Sequence, residues 1–426
     1  MTNRTLVVSI DALITADIPV LKQLPNLGRV MEHASWITDI ECIYPTLTYP
    51  CHATIATGCW PDRHGICNNE KFQPLSKDRP EWYWFRKDIK TPTLIDYAKA
   101  AGLTTAAITW PVMGDCGADY NIAEIWAPHE EDDPTPYFDL ADSPKAKEIF
   151  ERNKHMLRWM KTPQMDEFAA QCAVDIIKEY RPDLMFLHLS YVDHQRHKLG
   201  VRSEQLDHAF AFVDEQLGRV FDALDETGGL ENTNIAVLGD HGQLYCDQMF
   251  HLNTVLRDMG FLTEENGTVT SWKIYAAQCA FSAQIYRQPD VDPKLVYETL
   301  CKIRDQYPGS ISQIFTKEQA ADLHLTGEFD FVVEAGDRTA FDKAANATEY
   351  FTSVDEIREY KLSVSTHGHL PEKGDKPPFI LSGPDVIPGK VQKGGYLVDE
   401  APTILRLLGI TENHMDGTPF TWMTRL

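Results

Sequence analysis

Asn234-Ile235-Ala236-Val237-Leu238-Gly239-Asp240-His241-Gly242 is a short apolar run that stops at a glycine and passes into a carboxylate and an imidazole. A run of this length, bounded by a glycine, reads as a buried strand. Two further segments have the same form. Residues 5–10 run into Asp11, and residues 184–190, entered through the turn-forming Arg181-Pro182-Asp183, lead to Asp193. Between them lie amphipathic stretches, clearest at 164–179 and 203–224, whose apolar residues recur three and four apart. Strand and helix in alternation predict an α/β fold with a mostly parallel central sheet and helices on both faces. Ligands bind such sheets beyond the carboxyl ends of the strands. Asp11, Asp193 and Asp240 are therefore expected at one edge, although they lie far apart in the chain.

The chain of 426 residues is 43% hydrophobic, enough for a sizeable core, and no Gly/Ser-rich or Pro-rich linker divides it. Residues 1–260 and 350–426 are expected to form the core, with 261–349 as an inserted α+β subdomain. Residues 111–161, which include His129-Glu130-Glu131-Asp132-Asp133-Pro134, read either as a lid over the site or as a solvated surface insertion. Residues 401–408, followed by Gly409, read as a closing helix with a glycine stop. The formal net charge of −23 repels phosphate backbones and argues against a nucleic-acid partner. No apolar stretch approaches the ~20 residues needed to cross a bilayer, and no signal-peptide pattern precedes the first strand, so no membrane association is expected. Nine cysteines, scattered without a C-x-x-C pair, fit reduced thiols and a cytoplasmic location.

Two of the three carboxylates have histidines close by. Asp193 and His197 are four apart, so one helical turn puts both on one face. Asp240 and His241 are adjacent and converge only on a tight turn, which Gly239 and Gly242 make feasible. A second His-Gly element, Thr366-His367-Gly368-His369, lies near the C-terminus. Carboxylate plus imidazole suits Zn²⁺, with Mn²⁺ as its competitor. A nucleophile is visible in Tyr44-Pro45-Thr46-Leu47-Thr48-Tyr49-Pro50. Proline favours the first position of a helix, so a helix is expected to start at Pro50 with Thr48 just ahead of it. There the threonine hydroxyl meets free backbone N–H groups and the positive end of the helix dipole. A plain helix cap is the alternative role for Thr48.

Taken in order, these segments resemble the alkaline phosphatase superfamily, and within it the type I phosphodiesterase/nucleotide pyrophosphatase family. Val8-Ser9-Ile10-Asp11 resembles the first metal-binding strand and Pro45 to Pro50 the nucleophile segment. Thr57-Gly58 with Pro61, His64-Gly65-Ile66 and Asn69 follows as in the family, then Thr109-Trp110-Pro111, Asp193 to His197 with Gly200, Gly239 to Gly242, and His367-Gly368. The resemblance implies an alkaline phosphatase-like core and two divalent metals. Asp193, His197 and His367 would hold one, and Asp11, Asp240 and His241 the other with Thr48. It also implies in-line attack by Thr48, a covalent phospho-threonine, and an Asn69 amide that donates to a phosphate oxygen. Thr46, His369 and His194 are rivals of Thr48, His367 and His197. The implied enzyme is a hydrolase of phosphodiester or nucleotide pyrophosphate bonds acting on a small phosphorylated substrate. Phosphonate or phosphomonoester hydrolysis on the same core is the near alternative, and phosphoryl-ligand binding without turnover the distant one. Two departures are visible: Cys51 stands where nucleotide pyrophosphatases commonly have Asn, and His367-Gly368 continues as His369-Leu370-Pro371. Cys59-Trp60-Pro61-Asp62-Arg63 fits the sulfatase pattern C-x-P-x-R, but it follows Thr57-Gly58 instead of preceding it by a helix, so the sulfatase reading is set aside.

Overall fold

The computed structural model describes residues 3–77, 80–125, 133–158, 161–355 and 364–426. Its main sheet has eight strands: β1 (Arg4–Ile10), β2 (Ser35–Thr38), β3 (Thr105–Ile108), β4 (Tyr120–Ile122), β5 (Leu184–Leu189), β6 (Thr233–Leu238), β7 (Phe379–Ser382) and β8 (Val391–Lys393). They lie in the order β8-β2-β7-β6-β1-β5-β3-β4. The five strands from β6 to β4 are mutually parallel, and β7 runs against both β6 and β2. The three apolar runs of the sequence are thus the neighbours β6, β1 and β5 at the centre of the sheet. Ile10 pairs with Leu189, and Ser9 with Leu238, so the three strands finish almost level.

Side chains alternate across a strand, and here both faces are apolar. Leu6, Val8 and Ile10 face one core with Phe168, Cys172 and Ile176 of α2 (Gln164–Tyr180) and Val213, Leu217 and Phe221 of α4 (Asp207–Thr227). Val7, Phe186 and Leu238 face the other, with Ile55 of α1 (Thr48–Thr57) and Ile404 and Leu405 of α5 (Glu400–Leu407). Helices therefore cover both faces of a largely parallel sheet. The closing helix is α5, and Gly409 follows it at φ 68°.

Residues 111–119 are turns and loop; beyond them the chain supplies edge strand β4 and, within 133–158, buries Phe138, Ile149 and Phe150 against the α2 side of the sheet. The acidic segment 129–132 lies outside the described residues. A second sheet of four antiparallel strands, in the order Ile274–Cys279, Ser282–Arg287, Phe331–Ala335, Ile311–Thr316, packs with the helix Pro293–Gln306 in an apolar cluster reaching from Cys246 to Ala345. Among the described residues no helix is long and apolar enough to cross a membrane.

Candidate functional site

Beyond the ends of β1, β5 and β6 the structure gathers residues that the sequence keeps far apart. Asp11 follows β1 directly. Asp193 and His197 lie one turn apart on α3 (Tyr191–Leu199), the helix that follows β5, with Asp193 Oδ2 3.3 Å from His197 Nε2. His367 adds its Nε2 at 4.0 Å from Asp193 Oδ1. Asp240 and His241 follow β6, and His241 Nε2 lies 3.2 Å from Asp240 Oδ2 and 3.6 Å from Asp11 Oδ1. Asp193, His197 and His367 form one group able to hold a metal ion, and Asp11, Asp240 and His241 another. The rings of His241 and His367 stack at 4.1 Å, which puts the two groups side by side.

The glycines around Asp240-His241 serve space more than backbone freedom. A Cβ on Gly239 would strike the Leu13 carbonyl oxygen, and one on Gly242 the carbonyl of Asp375. Gly368 has both constraints, a φ of 83° and the Cys279 carbonyl against its Cα.

The donor atoms suit divalent cations. His197 Nδ1 lies 2.7 Å from the Ser365 carbonyl and His367 Nδ1 3.2 Å from that of Thr46. A carbonyl only accepts, so both Nδ1 atoms carry the proton and both Nε2 lone pairs face the carboxylates. Around an ion with ligand bonds of about 2.1 Å, tetrahedral donors sit about 3.4 Å apart, close to the 3.2–3.6 Å found in the second group. Asp240 Oδ2 is buried and receives no hydrogen bond, while its Oδ1 accepts from the Ala12 N–H at 2.9 Å. Burial pushes the Asp240 carboxyl up to about 7 and holds the His241 imidazole down to about 4. At Asp193 burial is outweighed by the His197 imidazole, and the carboxyl is held well below its ordinary value; Gln243 Nε2 also donates to Oδ1 at 2.6 Å. A buried carboxyl such as Asp240, beside a His241 imidazole that burial holds neutral, needs positive charge to offset its desolvation.

Thr48 is the first residue of α1, two positions earlier than the expected helix start, with Leu47 as the cap. Its Oγ1 is 3.1 Å from His241 Nε2. The expected set of free amides is smaller than foreseen. The Tyr49 N–H donates to Asn69 Oδ1 at 2.9 Å, Pro50 has none, and the Cys51 N–H bonds to the Leu47 carbonyl, which leaves the N–H of Thr48 itself. Asn69 is thereby tethered by its amide carbonyl one residue from the threonine.

The rivals have other work. Thr46 Oγ1 accepts from the amides of Gly368 and His369, each at 3.0 Å, and donates to the His369 carbonyl. His369 Nδ1 bonds the Leu370 carbonyl at 2.7 Å. His194 and His369 fall outside both groups. Cys59 is buried just past the far end of α1, about 15 Å from Thr48 at the helical rise.

Two histidines that sequence reasoning overlooked support the second group. His188 on β5 lies 3.2 Å from Asp11 Oδ2. His52 on α1 links Ser9 Oγ (2.8 Å) to the Thr48 carbonyl (2.8 Å), lies 3.5 Å from Asp240 Oδ2 and packs edge-on against Trp110. The one available signal was a polar side chain inside an apolar strand, Leu184-Met185-Phe186-Leu187-His188-Leu189, and inside a wholly buried helix.

The family model for type I phosphodiesterase / nucleotide pyrophosphatase matches residues 5–368, a span that takes in both ligand groups, Thr48 and Asn69. The chain belongs to the type I phosphodiesterase/nucleotide pyrophosphatase family. Human ectonucleotide pyrophosphatase/phosphodiesterase family member 1 is 27% identical over 248 residues, 55% of this chain and 23% of that protein. Venom phosphodiesterase 2 of Crotalus adamanteus is 24% identical over 254 residues, 57% of this chain and 27% of that protein. The matched part thus spans about a quarter of these relatives. Among solved structures, murine ectonucleotide pyrophosphatase/phosphodiesterase 5, an inactive threonine-to-alanine variant in complex with AMP, superposes with a TM-score of 0.68 at 17% identity, covering 99% of both chains. At that identity the likeness is one of fold, the alkaline phosphatase-like architecture already described.

Proposed function

We propose that this chain is a two-metal phosphohydrolase that cleaves a phosphodiester or nucleotide pyrophosphate bond through a covalent phospho-threonine on Thr48. The observation that carries the reading is the Thr48 hydroxyl at the start of a buried helix, 3.1 Å from His241 Nε2 of the second ligand group. Asp193, His197 and His367 would hold one ion, and Asp11, Asp240 and His241 the other with Thr48; the donors favour zinc, with manganese as competitor. Bound there, the ions supply charge that lowers the pKa of the hydroxyl and neutralises the attacking and leaving oxygens. Thr48 Oγ1 attacks phosphorus in line and the bond to the leaving oxygen breaks. Water then attacks the phospho-threonine and releases the threonine. The amino end of α1 favours the negative charge that gathers on the phosphoryl oxygens. Because the carbonyl of the Asn69 side chain is tied to the Tyr49 N–H, its NH₂ is the end that donates to a phosphoryl oxygen. A nucleotide substrate is supported by the relatives named as nucleotide pyrophosphatases and by the AMP complex of the murine protein.

The test is initial rates of zinc-loaded protein on bis-p-nitrophenyl phosphate, thymidine 5′-p-nitrophenyl phosphate, p-nitrophenyl phosphate and phosphonoacetate. Preference for the diesters, with a gain from the nucleoside and loss of turnover in Thr48→Ala, is expected. Undiminished turnover in Thr48→Ala would remove the nucleophile from the reading, and preference for the monoester or phosphonate would overturn the substrate class. We also propose a reducing, cytoplasmic setting, supported by nine cysteines that are all free thiols, eight of them buried. Titration of fewer than nine thiols in unfolded protein from its native source would count against it.

A further inference from the structure

Glu334 lies in the strand Phe331–Ala335 of the antiparallel sheet and is 1% exposed. Its carboxylate accepts from Tyr44 Oη at 3.0 Å, from the Leu370 N–H at 3.0 Å and from Lys373 Nζ at 2.9 Å. Tyr44 stands four residues before Thr48, and Leu370 three residues after His367. The same two segments are laced together nearer the site. The Gly368 N–H donates to the Thr46 carbonyl at 2.8 Å and to Thr46 Oγ1 at 3.0 Å, and the His369 N–H joins it on that hydroxyl. Glu334 closes the outer end of this lacing from a third element. A buried carboxylate paired with a lysine is often no more stabilising than an apolar side chain of its size, so bulk stability does not account for it. What an apolar residue could not do is hold both segments in one register.

We infer that Glu334 is a positioning residue: by holding Tyr44 and Leu370 on one carboxylate, it sets the nucleophile segment of Thr48 against the segment that carries His367. The inference rests on the proposed two-metal function. Its geometry makes the antiparallel sheet, which supplies no ligand to either group, a determinant of how the first group is assembled. Supporting residues of metal ligands typically change affinity about 10–100-fold when removed.

Three variants test it. Glu334→Met keeps length and volume and removes every acceptor. In Glu334→Gln the amide oxygen still accepts from Leu370 and Lys373, and the amide NH₂ donates to Tyr44 Oη, which then acts as acceptor. Tyr44→Phe removes a single donor. Zinc affinity and stoichiometry by competition with a chelator, hydrogen exchange at the amides of Gly368 and His369, and kcat are the readouts. In Glu334→Met one of two zinc ions is expected to bind about tenfold or more weakly, the two amides to exchange faster and kcat to fall. Glu334→Gln should restore all three, and Tyr44→Phe should shift them in the Met direction by less. Wild-type exchange and zinc affinity in Glu334→Met, or in Tyr44→Phe should the Met variant not fold, would overturn the inference, as would a Gln variant that behaves like Met. Failure of the wild-type protein to bind two zinc ions would instead overturn the functional reading, and the amide exchange would still decide the role of Glu334.

Discussion

Substituting Gly368 by alanine tests whether one backbone position holds His367 in place. At φ 83° an alanine is in left-handed conformation, and its Cβ would sit inside the Cys279 carbonyl oxygen, with Leu47 Cδ2 at 3.3 Å behind it. The conformation costs about 1–2 kcal/mol for an L-residue. Forcing the carbonyl aside costs about 1–3 kcal/mol more, for a total near 3 kcal/mol. With an unfolding entropy of about 2.1 cal/mol/K per residue over 426 residues, about 0.9 kcal/mol/K, Tm should fall by about 3–4 °C in the chelated protein. Gly260→Ala is the control, because Gly260 has φ 81° and nothing within 4 Å of the added carbon, so it isolates the conformational part, about 1–2 °C. Scanning calorimetry of both variants measures the difference. Equal losses would refute the claim that the Cys279 carbonyl fixes this turn. A Gly368→Ala protein that binds two zinc ions as tightly as wild type would refute its link to His367.

Three further outcomes are expected. Burial holds the His64 imidazole down to about 3, against 6.5 in the unfolded chain; the unfolded chain takes up the proton first, so the stability this neutral group contributes is complete above pH 6.5 and is lost as pH falls towards 3. At pH 5 the loss is about 2 kcal/mol, and urea unfolding at pH 7 and pH 5 should show it in wild type and not in His64→Gln; the same pH slope in both proteins would be the refuting result. The Arg196 guanidinium, fully buried, bonds the carbonyls of Ala12 and Val201 and the carboxylate of Asp17, so Arg196→Met should cost about 3–5 kcal/mol and Arg196→Met/Asp17→Asn less. A single variant as stable as wild type would show that the pair does not hold the Asp11 loop to α3. Removing metal with a chelator should lower stability by about 2.7 kcal/mol for each site saturated at a hundred times its dissociation constant, reversibly on adding zinc. A Tm indifferent to both treatments would speak against both ion sites.

The centre of the sheet could be read because its three strands β6, β1 and β5 are short apolar runs that each end in a carboxylate, and because parallel sheets bind ligands at that end. Asp193 with His197 was legible from helical spacing alone. What periodicity could not supply was pairing between distant segments. β7 runs antiparallel between β6 and β2, a topology that leaves no mark in Phe379-Ile380-Leu381-Ser382. Residues 111–161 read as a lid or a surface insertion because their apolar residues follow no regular period, yet Phe138 and Phe150 stack at 4.4 Å inside the core. His188 and His52 were overlooked for a related reason: their partners, Asp11 and Ser9, are 177 and 43 residues away. Glu334 carries no local signal, since its donors come from both sides of the chain.

The level finish of β6, β1 and β5 has a consequence for tolerance to change. Neighbouring strands lie about 4.8 Å apart, a spacing set by backbone hydrogen bonds and indifferent to side-chain identity. The interval between Asp11 and Asp240 is accordingly ruled by the pitch of the sheet, in the way that teeth on adjacent racks are ruled by their mounting. Insertions elsewhere in the chain can lengthen, shorten or recompose the rim around these carboxylates and leave that interval as it was.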